Sequence, residues 1–170
     1  MKWFTPFNKY INWQEIANNI SYIVSQGYEH KVVIGTDSQP FKEGTVFIVA
    51  VCIFSEHPDF KQTYYYGKER QEAFLPFYQR LHHEVQLSLD VANLLREYTA
   101  TTQRKLNIAI HLDLSAQEAK TKSGKYASGL INLVKAYDYP DVEVKPNSWA
   151  ASCIADKYTK KRELARLESN

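Results

Sequence analysis

An apolar run, Val32-Val33-Ile34 in KVVIGTDSQ, stops on a carboxylate at Asp37. The run reads as a buried strand, so an acid at its end sits where charge is costly and where packing gives no reason for it. Taken alone, Asp37 has an ordinary explanation, because Asp ahead of Ser and Pro starts turns well. Three more acids, Glu84, Asp113 and Asp156, fall in comparably awkward places. What the chain can fold into is limited by whether the four converge.

The elements around Asp37 are well marked. Asn12 is an N-cap, and Glu15 three residues on completes a capping box. Trp13, Ile16, Ala17, Ile20, Ile23 and Val24 then form one apolar stripe, ended by Gly27. Strands are expected at Lys31–Thr36, Thr45–Phe54 (TVFIVAVCIF) and Lys61–Tyr66. Pro40 and Gly44, then Pro58 and Asp59, mark short turns between them, which favours an antiparallel meander. A long helix is expected from about Arg70 to Tyr98, a strand at Leu106–Leu112, and a helix from about Lys125 to Ala136. A short strand, Val142–Val144, is stopped by Pro146, and a last helix starts near Ser148 and runs into KKRELARLESN. The second half alternates strand and helix, which implies parallel additions. The expected fold is α/β: a five-stranded mixed sheet, three antiparallel strands then two added by strand–helix alternation, flanked by helices.

At 170 residues the chain is long enough for one domain with a sizeable core. We expect residues 1–30 to be an N-terminal helical extension and residues 31–170 the core fold. A net charge of +2 is compatible with an anionic partner but does not demand one. Cys52 and Cys153 lie in apolar segments and read as buried free thiols, pointing to a reducing compartment. No run approaches a membrane span and the N-terminus has no apolar signal core, so the expected location is cytoplasmic.

Each remaining acid has its own logic. Alternation along LNIAIHL puts Ala109, His111 and Asp113 on one side of the pleat. On the long helix Glu84 lies three residues after Leu81 and four before Ser88, so it points where Phe77, Leu81, Val91 and Leu95 point. His82, His83 and Asp90 fall off that line and read as solvated. On a helix Asp156 shares a face with Trp149, Ser152 and Cys153, which should be the core face. An unpaired buried carboxylate costs several kcal/mol. Four would rival the whole folding stability of roughly 5–15 kcal/mol. Either the acids are scattered and solvated, or they line one open site. Divalent cations neutralise such a cluster, and oxygen-only ligands suit Mg²⁺ or Mn²⁺. Two ions about 4 Å apart clamp the attacking and leaving oxygens of a phosphodiester.

The order of elements resembles the ribonuclease H-like fold from about Lys31 to the last helix. In that fold one acid ends the first strand, one sits on the first long helix, one ends the fourth strand and one lies on the final helix. Asp37, Glu84, Asp113 and Asp156 occupy those places. More closely, IGTDSQ, HEVQLSLDVA, IHLDLS and KPNSWAASCIADKYT resemble the RNase H-like nucleases of the YkuK family. The middle helix departs from that family's glycine-rich pattern, keeping only Gly124 and Gly129. The resemblance implies a metal-dependent nuclease acting on nucleic acid, with Asp37 bridging two Mg²⁺ or Mn²⁺ ions and Glu84, Asp113 and Asp156 completing their shells.

Ser38 and Gln39 follow the central acid, where their backbone could approach a phosphate, although a turn is their ordinary role. His111 shares the face of Asp113 as a candidate ligand or proton carrier, or as a satisfied core histidine. Lys145 ends a strand and is placed to reach a phosphate or balance the acids. Tyr64, Tyr65 and Tyr66 fit a strand better than a base-stacking surface. Lys157, Lys160, Lys161, Arg162 and Arg166 read as a solvated helix face or a backbone track. RNA, DNA, hybrid and junction substrates are all compatible with the pattern. A non-catalytic nucleic-acid-binding or scaffold module on the same fold is the competing reading. A phosphotransferase is disfavoured by the lack of a glycine-rich phosphate loop.

Overall fold

The computed structural model describes residues 1–100, 105–115 and 121–159. Its seven-stranded mixed sheet has the order β2-β1-β5-β4-β3-β6-β7. β3 (His30–Phe41), β4 (Gly44–His57) and β5 (Phe60–Gln71) form the expected antiparallel meander. Helix α2 (Phe77–Thr99) carries the chain across to β6 (Ile108–Ser115), which joins β3 in parallel. Helix α3 (Ala127–Ala136) leads to β7 (Val142–Lys145), parallel to β6.

The sheet has seven strands rather than five because β1 (Lys2–Phe4) and β2 (Tyr10–Ile11) extend the free edge of β5. Strands of three and two residues carry no readable period. What holds them is aromatic packing: Trp3 is buried against Trp13, and Phe4 stacks on Tyr66. Residues 1–30 therefore contribute two edge strands as well as helix α1 (Trp13–Ser25). That helix forms as read. Asn12 accepts from the Glu15 N–H at 2.8 Å, Glu15 Oε2 accepts from the Asn12 N–H at 3.1 Å, and Ile16, Ala17, Ile20, Ile23 and Val24 are buried.

Other boundaries move where tertiary pairing overrides local signals. β5 continues to Gln71, opposite Thr45 of β4, so α2 starts at Phe77 and not near Arg70. KERQ is made of good helix formers, but the ladder with β4 claims it. β3 continues through Asp37, Ser38, Gln39 and Pro40 to Phe41, all paired with β4. Asp37 is thus inside a strand, not at its end. Its partner on the other side does stop there: the parallel ladder with β6 ends at Thr36 opposite Leu112. Beyond that point β3 is an edge on the β6 side, where Pro40 is tolerated.

Both faces of the sheet are covered, and alternation sorts the residues. Val32, Ile34, Phe47, Val49, Val51 and Ile53 belong to the core that α1, α2 and α3 share. Val33, Ile48, Ala50, Cys52 and Ala109 belong to a second core with Ala150, Ala155 and Tyr158. The segment forming that second layer is not the expected α-helix. Ala150–Ala155 is a π-helix, followed by a short α4 (Asp156–Thr159). The wider turn changes the phase: Ala150, Ala151, Ala155, Tyr158 and Thr159 are buried, while Trp149, Ser152 and Asp156 are half-buried and Cys153 is exposed. Cys52 is buried as expected.

Small residues set how close this layer comes. A Cβ on Gly35 would lie 2.7 Å from Ala151 N and 3.0 Å from both Ala151 Cβ and His111 O. Tyr158 fixes the far end, with its ring stacked 3.8 Å from that of Tyr66 and its hydroxyl 2.9 Å from that of Tyr64. The tyrosines of β5 are structural. Tyr65 and Tyr66 are buried, and Tyr65 accepts from Asn19. No helix among the described residues is long and apolar enough to cross a membrane. Gly35→Ala should push the Ala150–Ala155 layer off the sheet and cost about 1–3 kcal/mol, read as a lowered midpoint in denaturant. An unchanged midpoint would refute the close-contact account.

Candidate functional site

Beyond the Thr36–Leu112 pair, β3 and β6 part, and an open cleft of about 400 Å³ begins there. Asp37 and Asp113 are the first residues past the last pair, one on each strand and on the same side of the pleat. The parting falls where the chain, having laid β4 and β5 on one side of β3, crosses to the other. In open α/β sheets ligands bind at such a switch point.

α2 supplies the third acid. Glu84 is only 7% exposed, as its place in the apolar stripe predicts. Its Oε1 accepts from Ser38 Oγ at 2.5 Å. Ser38 in turn is held by Arg80, whose Nη1 donates to Ser38 Oγ at 2.9 Å and Ser38 O at 3.1 Å. One turn on, Ser88 Oγ lies 2.7 Å from Thr36 Oγ1 and locks the helix to β3. α4 supplies the fourth, Asp156. The Thr159 hydroxyl sits 2.5 Å from Asp37 Oδ2 and 3.0 Å from Asp156 O, and its one proton serves one of them at a time. β7 brings Lys145, whose Nζ is 2.9 Å from Asp113 Oδ1. The two charges attract at that distance, so Lys145 offsets the Asp113 carboxylate.

The acids act on one another electrostatically. Burial pushes the Asp37 carboxyl up to about 6. The Thr159 hydrogen bond opposes this, and the charges of Asp113 and Asp156 add to it. Burial pushes Glu84 further, to about 8, with Asp37 and Asp113 adding and the Ser38 hydrogen bond and Arg80 opposing. Near neutral pH Glu84 therefore keeps its proton. His111 is pushed down to about 4, chiefly by burial, and stays neutral.

Six of the eight residues singled out from sequence line the cleft: Asp37, Ser38, Gln39, Glu84, Asp113 and Lys145. Asp156 and His111 are not among its lining residues. Asp156 stands close enough to Asp37 for its charge to be felt. His111 is 3% exposed, lies edge-on to Trp149 and accepts the Ala150 N–H at 3.3 Å, so it anchors the π-helix to β6. Of the basic tail residues only Lys157 lies within the described residues, exposed with its Nζ over the Tyr158 ring. His83 is not solvated as expected: it contacts Gln71 and Glu69 and packs on Phe47. The sequence does not single out Arg80, Ser123 or Thr159, and it marks Phe77 only as part of the apolar stripe. Arg80 stands four residues before Glu84, a spacing that places both on one helix face and could have found it. Nothing local marks Ser123 or Thr159.

The donor chemistry fits a hard divalent cation. It is all oxygen, and two of its carboxyls are raised in part by mutual repulsion. As the side chains stand, Thr159, Ser38 and Lys145 hold three of the acids separately, and no three His, Cys, Asp or Glu side chains among the described residues converge on one ion position.

A mixed sheet with an antiparallel meander and two parallel additions, covered by helices, is an α/β fold. The ribonuclease H-like family model matches residues 13–160, and the chain belongs to that family. The matched span starts at Trp13, so α1 lies inside it rather than ahead of it. Comparison with the curated proteins and with the solved structures gives no match.

Asp37 and Glu84 are both raised above the ordinary carboxyl range, so the folded state gains from holding their protons. That contribution is complete below about pH 4 and is lost as pH rises through about 6 for Asp37 and about 8 for Glu84. Thermal midpoints in EDTA should therefore fall between pH 5 and 9 on this account, and Glu84→Gln should flatten the upper part of the fall. A wild-type profile matching that of Glu84→Gln throughout would show that Glu84 is not strained.

Proposed function

We propose that the protein is a metal-dependent nuclease that hydrolyses phosphodiester bonds in nucleic acid. The observation that carries this reading is the placing of Asp37, Glu84 and Asp113, from β3, α2 and β6, in the cleft where the central strands part, with Asp156 of α4 near enough to Asp37 for its charge to be felt. Membership of the ribonuclease H-like family supports it. The finer likeness to the YkuK family rests on IGTDSQ, IHLDLS and the KPNSWAASCIADKYT segment.

Asp37, Glu84, Asp113 and Asp156 are the residues that would hold Mg²⁺ or Mn²⁺, with two ions expected. A divalent cation there would supply positive charge against the phosphate and make water more acidic. The chain's own groups do the rest. Lys145, at the mouth beside Asp113, and Arg80, fixed on Ser38, offer positive charge to phosphate oxygens. Ser38 and Gln39 line the same wall, where the strand's backbone meets the substrate. Glu84 and Asp37 would hold a cation as carboxylates, Glu84 releasing its proton to solvent and Asp37 turning from the Thr159 hydroxyl. His111 stays neutral and keeps the π-helix on the sheet, holding Asp156 in range.

A second reading is favoured by one observation: Asp37, Glu84 and Asp113 each already have a protein partner. On that reading the chain is a nucleic-acid-binding or scaffold module without turnover. Cleavage of a panel of single-stranded and duplex DNA, RNA and hybrid with Mn²⁺ or Mg²⁺ separates the two. The nuclease reading expects metal-dependent cleavage that Asp37→Asn lowers by about 100-fold or more, the scale on which transition-state charge stabilisation is lost. Absence of cleavage across the panel, or full activity in Asp37→Asn, would leave the binding module.

A further inference from the structure

Aromatic rings cluster in the open beside the acidic cleft. Tyr78 of α2 is 47% exposed, and Tyr126, in the turn before α3, is 36% exposed. They come from distant parts of the chain, yet their ring centroids are 4.6 Å apart at 45°. Leaving a third to a half of two large side chains in water forgoes part of the stabilisation that burying them would give.

The cluster adjoins the cleft along the chain. Phe77, the residue before Tyr78, lines the cleft, and so does Ser123, whose carbonyl accepts the Tyr126 N–H at 3.1 Å. Positive charge accompanies the rings. Lys122 Nζ stands 4.6 Å from the Phe77 ring centroid and the Arg80 guanidinium carbon 5.6 Å from it. Among the described residues the contacts of Arg80 engage only Nη1 in hydrogen bonds, leaving its other nitrogens for a ligand. Lys145 lines the cleft from β7.

We infer that this face is a platform for single-stranded nucleic acid, with bases stacking on Tyr78 and Tyr126 and phosphates held by Arg80, Lys122 and Lys145 as the strand enters the cleft. The chemistry selects the strand state. Bases of a duplex are already stacked within it, so exposed rings have value only to unstacked bases. Stacking on rings tolerates any base, so the platform reads strandedness and not sequence. The inference rests on the nuclease reading for the cleft's purpose and names the substrate class that would reach it.

Its test is binding of the full chain in EDTA, where no cleavage occurs. Fluorescence anisotropy would compare a labelled mixed-sequence single strand with the blunt duplex of the same sequence. The single strand should bind at least about tenfold tighter, and Tyr78→Ala and Tyr126→Ala should each weaken it by about tenfold. Tyr78→Phe keeps the ring and should bind as wild type. Both tyrosines are exposed, so the fold survives, and circular dichroism would verify it. Equal affinity for strand and duplex, or alanine variants that bind as wild type, would overturn the inference. So would alanine variants that change the assembly state while oligonucleotide affinity stays the same, which would assign the face to a protein contact. The two readings fail separately. Metal-dependent cleavage with no single-strand preference sinks the platform alone, whereas single-strand preference lost in the alanine variants without any cleavage sinks the nuclease alone.

Discussion

Everything at the acidic cleft depends on β3 and β6 pairing in parallel as far as Thr36 and Leu112 and no further. Up to that pair the two strands are the centre of a sheet covered on both faces. Past it β3 stays with β4 while β6 goes with β7, meeting it again at Ser115 and Lys145. The parting exposes one flank of each strand and puts Asp37 and Asp113 on facing edges of the gap. Two helical layers then complete it from opposite faces of the sheet. α2 is locked on one face through Ser88 and Thr36. The π-helix is seated on the other by the missing side chain of Gly35 and by Tyr158 on Tyr66.

Concentrating acids in this way is costly to the fold, and the structure shows how the cost is contained. Each carboxyl whose contacts are described is offset by a local partner: Thr159 for Asp37, Ser38 for Glu84, Lys145 for Asp113. The offset is incomplete. Glu84 answers by retaining a proton near neutral pH. A packing role would not require this, because apolar residues of similar size would fill the space without the penalty. Residual strain of one sign, in a cleft lined also by Arg80 and Lys145, is what the proposed site for cations and a polyanion would use.

The architecture was legible in the sequence where burial imposes a period. The α1 capping box and stripe, the meander and the alternating second half all follow from spacing, and Glu84 was found from its slot in the α2 stripe. What could not be read was set by partners remote in the chain. KERQ looks helical until β4 claims it, and β1 and β2 are too short to show a period. Asp37 read as the end of a strand because Ser38 and Pro40 look like a turn, yet pairing with β4 carries the strand on to Phe41. The phase of the last layer is not legible because a π-turn does not announce itself in local propensity: helical spacing puts Cys153 inward, whereas the structure leaves it exposed. Arg80 was available from its spacing to Glu84, while Ser123 and Thr159 acquire meaning only from their places beside the acids.

The most direct test of the central claim is a crystal structure of the protein soaked in Mn²⁺, with the ion located by its anomalous scattering. The account predicts Mn²⁺ at the β3–β6 parting, ligated by Asp37 together with Asp113 and with Glu84 or Asp156, and the Thr159 hydroxyl displaced from Asp37. Mn²⁺ bound elsewhere, or a cleft in which Asp37 remains on Thr159 and Asp113 on Lys145 with no ion between them, would contradict it.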